Sequence, residues 1–173
     1  MEEKYTLKAI LATLSKIKNS TAKKRLIFDQ TPVGGIGVKW VIAFFISLPI
    51  LLYIGIFNPK IFGMLGIAQA IIFYVVFLSM AMIMIIALTF INNNKVLRQI
   101  SPSWDDYFPG VDLRLALSSG STPYKDFFKH YSRALKEGIN DENMHSYLSK
   151  AFIEMQKENA DLLNAINSPR TKR

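Results

Sequence analysis

Two long apolar runs dominate the pattern of hydrophobic and polar positions in this chain. They cover residues 40–57 and 61–91, and neither contains Asp, Glu, Lys, Arg or His. A helix needs about 20 apolar residues to cross the hydrocarbon core of a bilayer, and both runs are long enough to qualify. Only Asn58, Pro59 and Lys60 separate them. The pattern therefore predicts an all-α membrane protein built on a two-helix transmembrane hairpin.

The segment before the first run predicts an N-terminal amphipathic helix over residues 3–18. Lysines lie mainly off its apolar face, and that face consists of Leu7, Ile10, Leu11, Leu14 and Ile17. Such a helix can lie in the membrane interface, or it can pack on the C-terminal region or on a partner. The sequence leaves both alternatives open. Residues 31–37 contain one proline and three glycines and predict a turn or flexible hinge before the first span.

Helix packing within the second run is predicted at a strip of small side chains. Gly63, Gly66 and Ala70 follow an i, i+3, i+7 spacing, which lets another helix approach closely. Gln69 is the one amide in the two runs, and such a group usually hydrogen-bonds another helix. The first span of the same chain is the expected neighbour, and a second subunit is the alternative.

The C-terminal region, residues 95–167, predicts a cytoplasmic set of helices. Ser101 and Pro102 match a cap followed by proline at the first helical position, so a new helix is expected to begin there. Another helix is expected over residues 123–137, where Gly138 provides the residue that commonly follows a helix end.

Residues 111–118 can be interpreted in two ways. Their apolar positions alternate as in a strand, but no second strand is visible to pair with them. A short helix capped by Asp112 is slightly favoured over the strand.

The last helix, over about residues 141–166, carries a heptad-like seam. Its members are Leu148, Phe152, Met155, Leu162 and Ile166, with the polar Asn159 between them. A seam of this kind predicts contact with a partner or a second copy, with the polar position setting the register. The alternative is an ordinary amphipathic helix that closes a small helical domain. Residues 168–173 predict a disordered basic tail.

The net charge of +8 lies mostly before the first span. Residues 1–39 hold eight Lys and Arg against three acids, whereas residues 92–173 hold twelve against ten. Positive loops stay cytoplasmic, which predicts an integral protein of a bacterial inner membrane with both termini in the cytoplasm. Lys23, Lys24 and Arg25 are candidates for contact with anionic lipid headgroups, or they act only as the topology signal.

Catalytic chemistry finds little support in the sequence. Cysteine is absent. Of the two histidines, His130 and His145, only His130 has a possible co-ligand at helical spacing, Asp126 four residues earlier, and no spacing points to a third ligand. No catalytic residue, metal site or cofactor is predicted. The C-terminal region is nearly neutral, which argues against nucleic acid as a partner. Charge-free spans argue against an autonomous pump, carrier or selective channel.

These observations predict four segments: residues 1–39, the transmembrane residues 40–94, the helical residues 95–167, and the tail. The expected partners are the lipid bilayer and other proteins of a membrane complex. We interpret the chain as a non-catalytic subunit, a scaffold, anchor or adaptor of such a complex, for example in secretion or conjugation. The alternative is a homo-oligomer that assembles into a pore, a ring or a membrane-remodelling coat.

Overall fold

The structure is a computed structural model that describes residues 4–167. The first residue of the predicted N-terminal helix and the predicted tail, residues 168–173, lie outside the described residues. The fold is mostly helical, as predicted. Its elements in chain order are α1 (Leu7–Leu14), β1 (Ser15–Lys18), β2 (Thr21–Lys24), a 3-10 turn (Thr31–Val33), α2 (Val38–Ile56), α3 (Pro59–Tyr107), α4 (Leu113–Ala116), α5 (Phe127–Lys136), α6 (Asp141–Glu158) and α7 (Ala160–Asn167).

The N-terminal segment is not one helix. The helix α1 ends at Leu14, and an antiparallel pair, β1 and β2, replaces the predicted helical continuation. Asn19 and Ser20 have φ values of 49° and 54°, the positive values that a tight two-residue hairpin turn requires. The all-α prediction is therefore wrong in this segment. Ile17, predicted to lie on the apolar helical face, is instead 48% exposed on a strand.

The apolar face of α1 packs on protein. Ile10, Leu11 and Leu14 are at most 3% exposed and belong to the same core as the C-terminal helices. The helix contacts the 3-10 turn and α3. The sequence left open whether this helix lies in the membrane interface or packs on protein. In this structure it packs on the C-terminal region. Residues from both sides of the apolar runs thus build one core, which we call the helical domain (residues 4–33 and 95–167).

The two apolar runs form α2 and most of α3, both long and apolar enough to cross a membrane. No residue of α2 is buried. Gly66 interrupts α3 with a φ of 75° and a ψ of 166°, values outside the helical region. From that break to Tyr107 the helix is continuous over 42 residues, about 60 Å. The Tyr74 ring lies against Tyr53 of α2 and against Phe57, the residue after α2, with centroids 6.2 and 6.1 Å away.

The helix predicted to begin at Ser101 does not exist as a separate element. Instead α3 continues through Pro102 to Tyr107. Proline removes one backbone donor, which leaves the carbonyl four residues earlier without its helical partner. Arg98, which carries that carbonyl, and Pro102 are both exposed, so water can reach the backbone at this point. On the solvent-exposed face of α3, Pro102 therefore does not end the helix.

Trp104 lies at the centre of the helical domain. Its side chain is fully buried, and its ring makes edge contacts with Phe127 of α5 and Phe152 of α6, each at 5.9 Å between centroids. Its indole Nε1 donates a hydrogen bond of 2.8 Å to the Val111 carbonyl. The indole thus buries a large apolar surface and leaves no polar group unpaired.

The short helix α4 confirms the favoured interpretation of residues 111–118. The Asp112 carboxylate caps it, accepting hydrogen bonds from the N–H groups of Arg114 and Leu115. The next helix, α5, ends before Gly138, whose φ of 67° confirms the predicted helix end. Its start is four residues later than predicted, because residues 123–126 form a turn.

A buried hydroxyl joins the hairpin to the domain. Ser132 of α5 accepts a hydrogen bond of 2.9 Å from the Ala22 N–H, and its hydroxyl lies 3.2 Å from the Ala22 carbonyl oxygen. Because α5 contacts β2 extensively, the two strands form part of the domain.

Candidate functional site

The helix α3 changes its surroundings within about two turns. Phe90 and Ile91 are 69% and 60% exposed, whereas Val96 and Ile100 are fully buried in the helical domain. We call this level the junction; it comprises residues 25–38 of the chain that crosses α3 together with residues 89–95 of α3. It is the candidate functional site, because it connects the apolar helices to the domain.

Two asparagines of α3 hold the crossing chain at the junction. The Phe28 N–H donates to Oδ1 of Asn93 at 2.9 Å, and Nδ2 of Asn93 donates to the Leu26 carbonyl at 2.8 Å. The Asn92 side chain donates to the Phe28 carbonyl at 3.0 Å and accepts from the Gln30 amide. These amides satisfy backbone groups that no sheet or helix would satisfy, and we call the arrangement the asparagine clamp.

Asp29 connects the clamp to the start of α2. Its Oδ1 accepts hydrogen bonds from the Thr31 hydroxyl at 2.7 Å and from the N–H groups of Thr31 and Val38 at 3.1 and 3.4 Å. Its Oδ2 lies 3.4 Å from the Arg25 guanidinium. Burial alone raises the pKa of Asp29, but these hydrogen bonds and the Arg25 charge outweigh that effect, so the pKa lies below its usual value.

The segment predicted as a flexible hinge is an ordered turn. Val33 is buried, and the Gly35 N–H donates to the Gln30 carbonyl at 2.8 Å. Gly34 has a φ of 82°, a value that glycine adopts without strain. At Gly35 an added Cβ would lie 2.3 Å from Oε1 of Gln30, which leaves no room for a side chain. Here the glycines allow the tight turn that leads from the 3-10 turn into α2.

The three basic residues predicted at the membrane surface have different surroundings. Lys23 is exposed and makes no ion pair within the described part of the chain. The Lys24 ammonium donates to the Leu117 carbonyl, and Nε of Arg25 donates to the Ser15 carbonyl at 2.8 Å. Arg25 and Lys24 therefore also have structural roles, which the sequence did not reveal.

The strip of small residues does not form one helical face. Because the helix is broken at Gly66, the i, i+3, i+7 spacing does not align Gly63 with Ala70. Ala70 is fully buried, one turn before Tyr74, whereas Gly63 and Gln69 are exposed. The approach of a second helix at Gly63 or Gln69 stays a prediction.

The heptad-like seam is divided between the core and the surface. Leu148, Phe152 and Met155 are at most 2% exposed inside the helical domain, so their spacing reflects the core of this chain. The last helix is interrupted at Asn159, whose Nδ2 donates to the carbonyl oxygens of Pro123 and Met155. Asn159 thus ends α6, and a role for it in register with a second copy stays a prediction.

Beyond that interruption, the short helix α7 carries the remaining two members of the predicted seam. Leu162 is half-buried and Ile166 is 47% exposed. A partner contact at these two residues stays a prediction.

The histidines do not come together. The His145 ring lies within 2.8 Å of the Tyr107 carbonyl oxygen and beside the Phe108 ring, which joins α6 to the end of α3. His130 lies on α5, four residues after Asp126. Among residues 4–167, no three His, Cys, Asp or Glu side chains group as metal ligands. The expectation of no metal or cofactor stays a prediction.

Sequence reasoning missed the asparagine clamp and the β-hairpin. A run of three asparagines, here at residues 92–94, is typical of a return to water after an apolar run. Asn19 followed by Ser20 was the available signal for the hairpin, since asparagine tolerates positive φ better than most residues. The clamp had no local signal, because its partners are more than sixty positions away in sequence.

No protein-family model, curated protein or solved structure matches this chain. A functional interpretation therefore depends on the junction and the helical domain themselves.

We predict that Asn93→Ala destabilises the protein by about 1–3 kcal/mol, because it leaves the Phe28 N–H and the Leu26 carbonyl without their partner. Thermal unfolding of the detergent-solubilised chain, followed by circular dichroism, measures the change. Asn94→Ala is the matched control, since Asn94 lies on the same helix and its side chain makes no hydrogen bond to any residue in the range 4–167. Equal losses in both variants would contradict the clamp.

We predict that the stabilisation by Asp29 is lost in acid. The usual pKa of an aspartate in an unfolded chain is about 3.9. Since the pKa is lower in the folded state, the carboxylate stabilises the fold above that value, and the effect fades as the pH falls through the folded-state pKa. The melting temperature of the wild type should therefore exceed that of Asp29→Asn at neutral pH, and the difference should shrink on acidification. A constant difference, or the same pH profile for the exposed Asp105→Asn control, would refute the prediction.

Proposed function

We propose that the protein is a non-catalytic subunit of a membrane complex that holds a small cytoplasmic domain at a fixed position above the membrane. In this proposal α2 and α3 cross a bacterial inner membrane as a transmembrane hairpin. The helical domain then acts as the scaffold or adaptor that meets other proteins, as in secretion or conjugation machinery. Analogy with such machinery is the only basis for that last example.

The continuity of α3 is the observation that carries the proposal. The same helix contributes the exposed apolar residues up to Ile91 and the buried core residues Val96, Ile100 and Trp104. A continuous helix transmits position and orientation, whereas a flexible linker would not. A domain built around the end of a span is suited to presenting partners at a set distance from the bilayer.

The distribution of exposed apolar side chains supports membrane crossing. Large hydrophobic residues with high exposure concentrate between Trp40 and Ile91. Outside that range, the described residues of this kind are Ile17, Leu26, Ile36, Ile153 and Ile166. Apolar surface of this extent is unfavourable in water and favourable in lipid.

Charge supports the proposed orientation. Lys39, Lys95 and Arg98 flank the apolar segments on the side of the helical domain, and only Lys60 lies at the opposite end. The excess of positive residues beside the domain is what a cytoplasmic location would require.

We predict that labelling will place Lys60 across the membrane from the domain. The chain has no cysteine, so Lys60→Cys and Lys129→Cys each introduce a single thiol at an exposed position. A membrane-impermeant maleimide added outside spheroplasts should label the first variant and spare the second until the cells are lysed. Labelling of both variants before lysis, or of neither, would contradict a membrane hairpin with a cytoplasmic domain.

Self-assembly into a pore, ring or coat is the alternative proposal. It would have to use surfaces that the structure leaves exposed, such as Gly63 and Ile166, because Leu148, Phe152 and Met155 are occupied in the core.

The mass of the particle extracted from native membranes in mild detergent separates the two proposals. We expect a heteromeric particle that contains this 19.6 kDa chain and co-purifying proteins. A homogeneous multiple of the chain mass would favour self-assembly, and Gly63→Leu should then reduce it. An added Cβ at Gly63 meets no atom within 4 Å, so this variant should not disturb the fold. A lone monomer would overturn both proposals.

A further inference from the structure

A cleft with cationic walls opens at the junction, beside the end of the apolar part of α3. Its volume is about 600 Å³. Thr89 and Asn93 of α3 line it, together with Ser118 and Ser119 of the loop after α4. The cleft therefore lies at the depth where the apolar side chains of α3 give way to the domain, the depth of lipid headgroups if α3 crosses a bilayer.

The charges and hydroxyls in the cleft are those that bind phosphate. Lys24, Arg25 and Arg114 line it, together with the hydroxyls of the two serines and Thr89, and no lining residue is acidic. Arg25 shares its charge with Asp29, which lies outside the lining. The Arg114 guanidinium makes no hydrogen bond or ion pair to a described residue, so it is available to an anion. Arginine pairs well with phosphate because its planar donors can engage two oxygens.

An exposed leucine lies among these cations. Leu26 lines the cleft and is 84% exposed, although the rest of the helical domain buries most of its large apolar side chains. A leucine in water beside three basic residues is unfavourable, but it suits the boundary between headgroups and acyl chains. This residue points to a lipid and not to a free phosphate compound.

An apolar groove meets the cleft at Thr89, which lines both. The groove has a volume of about 760 Å³ and runs between α2 and α3, with Ile42, Phe45 and Ile46 on one side and Ile85 and Leu88 on the other. Its lining is aliphatic or aromatic apart from Gln30, Thr89, Asn92 and Lys95, which suits a hydrocarbon chain.

We propose that the junction binds one anionic phospholipid from the leaflet on the domain side, with its phosphate in the cleft and an acyl chain in the groove. Arg114 and Lys24 contact the phosphate, and Ser118 and Ser119 donate hydrogen bonds to it. The lipid covers Leu26 and couples the domain to the bilayer. This inference rests on the membrane crossing proposed above.

The test uses the full chain purified in mild detergent and native mass spectrometry to count bound lipid. The probes are phosphatidylglycerol and phosphatidylcholine with identical acyl chains, and glycerol phosphate as the soluble headgroup. We expect one tightly bound phosphatidylglycerol per chain, weaker binding of phosphatidylcholine, and no displacement by excess glycerol phosphate. Arg114→Gln should weaken phosphatidylglycerol binding about fivefold, and Arg114→Lys should restore most of it.

Matched controls separate the site from general surface charge and from misfolding. Lys129→Gln removes the same charge from an exposed position on α5 and should leave lipid binding unchanged. Ile46→Trp should fill the groove and weaken both lipids, whereas Phe44→Trp, on the same helix but outside the groove lining, should not. Thermal unfolding checks that every variant keeps the fold.

Three outcomes would overturn the inference: equal binding of both lipids, equal effects of Arg114→Gln and Lys129→Gln, or full displacement by glycerol phosphate, which would indicate a free phosphate ligand. Equal effects of the two tryptophan variants would overturn the assignment of the groove. The labelling of Lys60→Cys reports on membrane crossing independently. If the chain crosses the membrane but does not select an anionic lipid, the lipid-binding inference is refuted and the proposed membrane crossing is not.

Discussion

The structure depends on one helix that serves two environments. Up to Ile91 most large apolar side chains of α3 are exposed, whereas Val96, Ile100 and Trp104 lie in the centre of a protein core. Because a helix cannot rotate one half against the other without losing backbone hydrogen bonds, the orientation of the apolar part determines how the domain core is presented. The buried Trp104, with its ring contacts and its bond to Val111, secures the domain end of that helix.

A second requirement follows from the first. The N-terminal segment contributes α1 and the hairpin to the core, so the chain must cross α3 on its way to α2. A chain in that position has backbone groups that no regular element satisfies, and the asparagine clamp satisfies them. Asp29 then caps the turn and reaches the first N–H of α2. Since residues on both sides of the apolar helices share one core, the domain can close only after both helices have been made.

This arrangement accounts for the function that we propose. A rigid connection between span and domain is of use when partners must meet at a fixed distance from the bilayer. In our further proposal a phospholipid binds at that same level, because the cations and hydroxyls of the basic cleft suit its headgroup and the exposed leucine suits its acyl chains. The lipid would then complete the surface that the protein leaves open between the domain and the apolar helices.

The sequence by itself determined the two apolar helices and the helix end at Gly138, since each depends on composition or on residues a few positions apart. It only favoured the Asp112-capped turn of helix over a strand. It did not reveal the continuity of α3 through Pro102, because the penalty for proline depends on whether the freed carbonyl faces water. The tertiary structure also decided that Leu148, Phe152 and Met155 belong to an internal core, and that Asn92 and Asn93 hold a distant backbone. Heptad spacing reads the same in the sequence whether the seam packs on its own chain or on a second copy, and a run of amides reads the same whatever it bonds. Only the folded structure brings the actual neighbour into contact.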